Sequence, residues 1–487
     1  MNEMMRTPLR EDLFIGGNPV PSPQLLEIRN PAHPSELVGT IVRGTPEHVD
    51  QAIQIAKQAQ VSWARKSFSE RAAVLRSAIH ALTADIEERS RLFVRENGKT
   101  LVQARGELTS VSKRQMMALD YASTLDELRT YEATNGESYV LKRPYGVVVS
   151  IVPWNSPDVL AFTQIVAALF AGNSVVLKPP ESCALTLIDS VRRFSQHIPA
   201  GLLNVVTGLP AEIGDALTTH PDVGKIAFTG SIPSARTIMG NASRNVTSVT
   251  LELGGNDPAI ILPDFVITPE ALGRMVLATF MMTGQVCMAI KRIFVPRSLE
   301  AHFVESFCSA VDRLVIGDGL LPQVTLGPLH TAAGLARAKS ILDDARASGA
   351  EIRTLGRVDD ETTFASGHFM MPTVAMHIND SARLVHEEQF CPVVPVSIYD
   401  DVEEAVQRAN SSHFGLAGSV WGSDRDRAID VAKNIEAGQV WVNTHGVLAI
   451  NPLAPYGGMK QSGLGRKSGI EGVLEYLQSQ TITTFEG

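Results

Sequence analysis

The sequence predicts an α/β protein with two doubly wound domains and a small β element. Three observations carry that prediction. Continuous β-branched runs such as "GVVVSIV" at 146–152 mark strands buried on both faces of a parallel sheet. They alternate with segments of helical apolar spacing. The alternation closes at "SVTLELGG" and starts again after Asn256, which divides it between two domains.

Residues 47–65 and 70–95 carry apolar residues at helical spacing, with Gly98 as a stop signal, and 100–130 again reads as helix. "GESYVLK" alternates like an exposed strand. From "GVVVSIV" onward the order is strand, helix, strand: the apolar helix around Phe162 to Phe170, "NSVVLKP", "LIDSVRRFSQHI", "LLNVVTG", "AEIGDALTTH", "GKIAFTG", "IPSARTIMGNAS" and "SVTLELGG". Ligands of such a sheet are expected at the carboxyl ends of its strands. The second domain takes in "DPAIILP", "KRIFVP", a helix around Phe303 to Leu314, "FCPVVPVSIY", "VEEAVQRAN" and "GQVWVNT". The tail reads as a helix and a strand, and the exposed strand near 137–143 is a candidate to pair with a neighbouring subunit.

With 487 residues, 44% hydrophobic and 20% charged, the chain has ample material for more than one core. Its net charge of −9, with no basic cluster, argues against a nucleic-acid partner. Four cysteines in this length form no disulfide framework, which points to a reducing compartment. No targeting segment is read at the N-terminus, and "VLAFTQIVAALFAG" is shorter than a membrane span. The expectation is a cytoplasmic protein with no membrane partner.

Five segments carry candidate chemistry. In "MMTGQVCMAIKR", Cys287 is either a nucleophile or a small core residue, and a lone cysteine ordinarily packs as the latter. In "VPWNSP", Asn155 follows a buried strand; it is an amide donor for an oxyanion or a turn residue between prolines. In "VVLKPPE", Lys178 and Glu181 suit a nucleotide ribose, or form a solvated pair. A carboxylate there accepts from ribose hydroxyls and repels a 2′-phosphate. In "FTGSIPSAR", Gly230 and Ser231 open a helix whose N–H groups favour a pyrophosphate, although the three-glycine fingerprint is absent. In "LELGGNDP", burial would raise Glu252 toward a general base's range, or a basic partner would hold it.

Together these segments resemble the aldehyde dehydrogenase superfamily. "PWNSP" is similar to its Pro-Trp-Asn-Phe-Pro motif, "LELGG" to its glutamate motif and "GQVC" to its cysteine motif, with Cys287 lying 35 residues after Glu252. "EEQFCP" and "PYGGMKQSGLGR" resemble two further signatures, in the family's order along nearly the whole chain. The resemblance implies an aldehyde-dehydrogenase-like fold. Residues 1–121 and 143–253 would bind the cofactor, 254–446 would form the catalytic domain, and 122–142 with 447–487 would make a bridging oligomerisation element. It implies a homo-dimer or homo-tetramer.

The same resemblance implies Cys287 as nucleophile, Asn155 as oxyanion donor and Glu252 as the base that activates water. It implies Lys178 and Glu181 at the adenine ribose, Ile151 and Trp154 along the cofactor groove, Gly230 and Ser231 at the pyrophosphate, and Glu388 with Phe390 at the nicotinamide ribose. The cofactor would be NAD, with NADP possible, and no metal is expected. Ser156 stands where the motif has phenylalanine, and Thr163 where many members carry an aromatic residue; both changes would widen the substrate tunnel for a bulky aldehyde, aromatic, terpenoid or long-chain. Asp158 would add a charge near that tunnel for a cationic or hydroxylated substrate. Asn256, Cys391, Pro210 and Tyr456 are further departures that remove no group the chemistry needs. Two other readings stand beside this one. A CoA-acylating enzyme is disfavoured by Glu252, and a non-catalytic binding protein on the same scaffold has no use for Cys287, Glu252 and Asn155 together.

Overall fold

The computed structural model describes residues 8–485. Residues 1–7 and 486–487, where the N-terminal reading and the outer domain limits begin and end, lie outside the described residues.

The first large sheet has eight strands in the order Gly463–Leu464, Ser248–Glu252, Val223–Thr229, Val147–Ile151, Ser174–Lys178, Leu203–Val205, Leu13–Ile15 and Asn18–Val20. Its five central strands run parallel, and antiparallel pieces close both edges. Val147–Ile151 comes first along the chain among the parallel strands. The next two parallel strands lie on one side of it, and the last two on the other. The strand order therefore reverses between Val147–Ile151 and Val223–Thr229, and the crevice at their carboxyl ends is where such a sheet binds ligands.

The second sheet has seven strands: Glu351–Thr354, Thr373–Met376, Val393–Tyr399, Ile290–Pro296, Asp257–Ile261, Ala417–Trp421 and Gln439–Val442. Glu252 ends a strand of the first sheet, and after Gly254 and Gly255 the chain enters the second sheet at Asp257. The carboxyl edge of one sheet thus faces the amino edge of the other. Both sheets are covered by helices, which is why their central strands are mostly apolar and buried. The helix Pro157–Phe170 is the most buried of these: Phe162, Ile165, Val166, Leu169 and Phe170 are all inaccessible to solvent. Each such side chain contributes roughly 1.5–3 kcal/mol by leaving water.

Two long helical readings are broken. The 70–95 segment forms Phe68–Ala81 and Ile86–Asn97, separated by Asp85 in the left-handed region at φ 51°. Asp85 also holds Arg193 at 2.9 Å, so a tertiary ion pair fixes the break. The helix from Leu101 ends at Ala118, and Arg129–Ala133 is a strand rather than the end of a helix. It joins an antiparallel sheet of three with Gly136–Pro144 and Leu477–Thr483. That pairing, from Leu477 opposite Pro144 to Thr483 opposite Ser138, is made within the chain. Gly98 ends its helix at φ 95°, as its place in the sequence predicts.

Candidate active site

Ile151 ends the strand that leads to Trp154 and Asn155, and Thr229 ends the strand beside it. Both strand ends open on one cavity of about 230 Å³. Trp154, Asn155, Thr229, Gly230, Ser231, Glu252, Cys287, Glu388 and Phe390 all face it. Residues far apart in the chain therefore meet at the crevice where the strand order reverses.

Cys287 follows a tight turn, Met281–Gly284, in which Met282 and Thr283 are both left-handed, at φ 52° and 58°. Non-glycine residues held there cost of order 1–3 kcal/mol each, so the surroundings must fix them. Thr283 Oγ1 donates to the Gly327 carbonyl at 2.8 Å. Gln285 Nε2 donates to Met282 O at 3.0 Å, and Gln285 Oε1 accepts from His330 N at 2.9 Å. Gly284 has φ 74°, and a Cβ there would overlap the Cys391 carbonyl. The turn is thus locked before it delivers the thiol.

Asn155 is 6% exposed, and its Nδ2 donates to the Gln285 carbonyl at 3.1 Å. A side-chain amide nitrogen has two hydrogens, so the second is free to face the cavity. From behind, Lys99 Nζ donates to the Asn155 carbonyl at 3.1 Å, and Lys99 is itself ion-paired with buried Glu107. Glu252 is 4% exposed, and its Oε1 has no hydrogen-bond partner. Burial pushes its carboxyl up to about 7, against Lys467, Arg466 and the Gly458 N–H, which favour the anion. Burial, Glu388, Glu252 and Asp257 together push the Cys287 thiol up to about 12, against Lys291. The resting thiol is therefore protonated at neutral pH and needs an acceptor for its proton.

The glycines after Glu252 have a steric cause. A Cβ at Gly254 would overlap the Glu388 carboxylate, and Gly255 N donates to Glu388 Oε1 at 3.2 Å. Phe390 meets Trp154 edge-on at 5.9 Å, and Trp154 stacks on His330 at 4.3 Å. Burial lowers the His330 imidazole to about 4, which keeps that stack neutral.

The residues present fit a dinucleotide. Ser231 caps the helix Ile232–Ala242 beside the cavity, which sets that helix's N–H groups toward an anion. A Cβ at Gly230 would overlap the Phe228 ring. At the neighbouring strand end Lys178 Nζ pairs with Glu181 Oε2 at 3.0 Å. Among the described residues no group of three or more His, Cys, Asp or Glu could hold a metal ion.

Asp158 is not where the sequence suggests. It is 1% exposed, accepts from Ser190 Oγ and lies 3.9 Å from Arg89. Its place in the first turn of Pro157–Phe170 turns it into the helix layer, where it balances Arg89 and recognises no substrate. The widening expected from Ser156 and Thr163 finds no support either. Met282 Sδ sits 3.8 Å from Ser156 Oγ, and Thr163 Oγ1 is held by Val159 O and Gln115 Nε2. Pairwise motif reading missed Gln285, Lys99, Lys291, His330 and Lys467. Their signal is weak but physical: polar residues in apolar strand or turn segments need buried partners.

A family model described as "Aldehyde dehydrogenase family" matches residues 20–482. A curated relative, 3-sulfolactaldehyde dehydrogenase of Pseudomonas putida, is 33% identical over 97% of each chain. The structure of betaine aldehyde dehydrogenase from Staphylococcus aureus in complex with NAD+ is similar at TM-score 0.93 and 33% identity, over 99% of this chain and 96% of that one. Lactaldehyde dehydrogenase from Escherichia coli is similar at TM-score 0.92 and 28% identity, over 99% and 100%. The chain belongs to the aldehyde dehydrogenase family, and so to the NAD(P)-dependent oxidoreductases that act on aldehydes. No helix among the described residues is long and apolar enough to cross a membrane.

Proposed function

We propose that this chain oxidises a small aldehyde to its carboxylic acid with NAD, through a thioester on Cys287 that water hydrolyses. The observation that carries this reading is the convergence of Cys287, Asn155 and Glu252 on one cavity. Glu252, with a carboxyl near 7, takes the proton of the Cys287 thiol as sulfur adds to the aldehyde carbon. The oxyanion is held by the second Asn155 N–H and the Cys287 backbone N–H. When bound, NAD supplies the acceptor for the hydride that leaves that carbon. Glu252 gives the thiol's proton up to solvent and, as the anion again, draws a proton from the water that attacks the thioester and releases the acid. Asn155→Ala should lower kcat by roughly 10²–10³-fold, the usual loss for one oxyanion donor, with little change in cofactor affinity.

Lys178 and Glu181 would hold the adenine ribose, and Glu181 favours NAD over NADP by repelling a 2′-phosphate. Gly230 and Ser231 would take the pyrophosphate, Ile151 and Trp154 the groove wall, and Glu388 with Phe390 the nicotinamide ribose. The large sheets and the three-stranded sheet suit cofactor-binding, catalytic and bridging units, with Gly463–Leu464 returning to the first sheet from the C-terminal segment.

For the aldehyde, the geometry favours a small molecule with an anionic group. Val286 and Met288 flank Cys287 and, with Val447 and Leu448, line a second cavity of only about 50 Å³. Half-buried Arg114 reaches the Val447 carbonyl at 3.5 Å, and the carboxylate that acts on its charge, Glu107, is itself ion-paired with Lys99. The two relatives named for lactaldehyde and 3-sulfolactaldehyde act on short aldehydes, the second of them anionic. The test is NADH formation at 340 nm with NAD or NADP, over small anionic, small neutral, cationic and bulky aromatic aldehydes. Highest kcat/KM on the small anionic compounds with NAD is expected. A preference for the bulky aldehydes would overturn the substrate reading, and no turnover on any of them would overturn the activity.

A further inference from the structure

We infer that Lys467 is the counter-charge that keeps Glu252 ionised while the acyl group sits on Cys287. The role is one of positioning charge, exerted through the base, and it rests on the function proposed above.

Lys467 is 5% exposed. Its backbone exchanges two hydrogen bonds with Tyr456, both 2.6 Å, which pins the segment against the site. The side chain runs inward, and Nζ donates to Thr229 Oγ1 at 2.5 Å. The same hydroxyl accepts from Gln164 Nε2 at 3.1 Å, and Gln164 Oε1 accepts from Ser150 Oγ at 2.6 Å. A hydroxyl accepts two hydrogen bonds and donates one. With both acceptor positions of Thr229 taken, its own hydrogen has to point elsewhere, and Thr229 lines the cavity that holds Glu252 and Cys287. The chain from Ser150 through Gln164 and Thr229 fixes the ammonium without neutralising it.

No carboxylate lies within ion-pair distance of Lys467 among the described residues. The groups facing Glu252 are Lys467 and Arg466 from the C-terminal segment, the Gly458 N–H, Cys287 from its turn and the Tyr456 hydroxyl. Arg466 donates to the Gly458 and Gly465 carbonyls at 3.2 and 2.8 Å and is partly exposed, so solvent screens it. Lys467 is the buried cation of the set. Burial lowers its own affinity for a proton, and Glu252 and Cys287 raise it again.

The step that needs this charge is hydrolysis. A water O–H bond breaks and its proton goes to Glu252, while the oxygen bonds to the thioester carbon. The C–S bond then breaks, and the Glu252 proton passes to the departing Cys287 sulfur, leaving acid and free thiol. Glu252 can start that step only as the anion. Burial already brings it to about 7, so losing the nearby ammonium would leave it protonated at neutral pH. A general base works on the high-pH side of its own titration, so the activity limb moves up in pH.

The experiment compares Lys467→Met, Lys467→Arg and the wild type by two pH profiles. One is kcat. The other is the rate of Cys287 alkylation by iodoacetamide in the cofactor-free enzyme, where Glu252 takes the thiol proton, so that the ascending limb follows the same carboxyl. Lys467→Met should move the ascending limb of both curves up by about one pH unit or more. Lys467→Arg should keep them near the wild-type positions. Thr229→Val, which retains the charge but removes its anchor, should move both by less, and it serves as the test if Lys467→Met does not fold. Superimposable profiles in the lysine and threonine variants would overturn the inference, even with a lowered Tm, because a merely structural lysine moves Tm and not the limb. A wild type that gives no NADH with any aldehyde would instead overturn the function proposed above.

Discussion

Cys287→Ala is expected to abolish NADH formation, a loss on the order of 10⁶-fold, the scale set by removing a nucleophile from a covalent mechanism. No other thiol can take its place. Cys183 and Cys391 are buried and pushed well up, and Cys308 packs in the core beside the second sheet. Cys391, which is buried, meets the nucleophile's turn through its carbonyl at Gly284. The variant should still fold, because the turn is fixed by Thr283, Gln285 and Gly284 rather than by the thiol. It should also still bind NAD, read as quenching of the Trp154 emission. Residual turnover above a thousandth of wild type would place the nucleophile elsewhere.

Glu252→Gln should separate the two halves of the reaction. Glutamine keeps the shape of the side chain and loses the proton acceptor, a change worth roughly 10²–10⁴-fold for a general base. The first turnover should still give a burst of one NADH per subunit, because hydride loss needs no water. Its rate should fall, since the Cys287 thiol is pushed up to about 12 and has lost the carboxylate proposed to take its proton. Steady-state turnover should fall further, with the thioester accumulating. Raising the pH should recover the burst before the steady state, because hydroxide removes the thiol proton but does not place a water. Stopped-flow absorbance at 340 nm reads both phases. Equal steady-state rates for variant and wild type would remove Glu252 from hydrolysis.

Much of this site is legible in the sequence because its signals are local. A β-branched run followed by Pro-Trp-Asn announces a strand end with a donor. A glutamate ahead of two glycines marks a carboxylate with room beside it, and the structure supplies the reason in the Glu388 carboxylate over Gly254. What escapes the sequence depends on partners remote in the chain. Asp158 reads as a free charge until the helix layer brings it to Arg89 and Ser190. Ser156 and Thr163 read as empty space until Met282 and Gln115 fill it. The start of the strand Arg129–Ala133 reads as the end of a helix because its pairing partner, Gly136–Pro144, is held in place from the far C-terminus. Lys467 directly follows the glycine-rich signature that ends at Arg466, and only the fold carries it in beside Glu252.

The central claim, a thioester on Cys287 that Glu252 clears, is tested most directly by intact-protein mass spectrometry of Glu252→Gln after mixing with NAD and a small aldehyde. The account predicts an adduct equal to the aldehyde less two hydrogens, formed in step with one NADH per subunit and mapped to the peptide carrying Cys287. NADH production with no covalent adduct, or with the adduct on another residue, would contradict it.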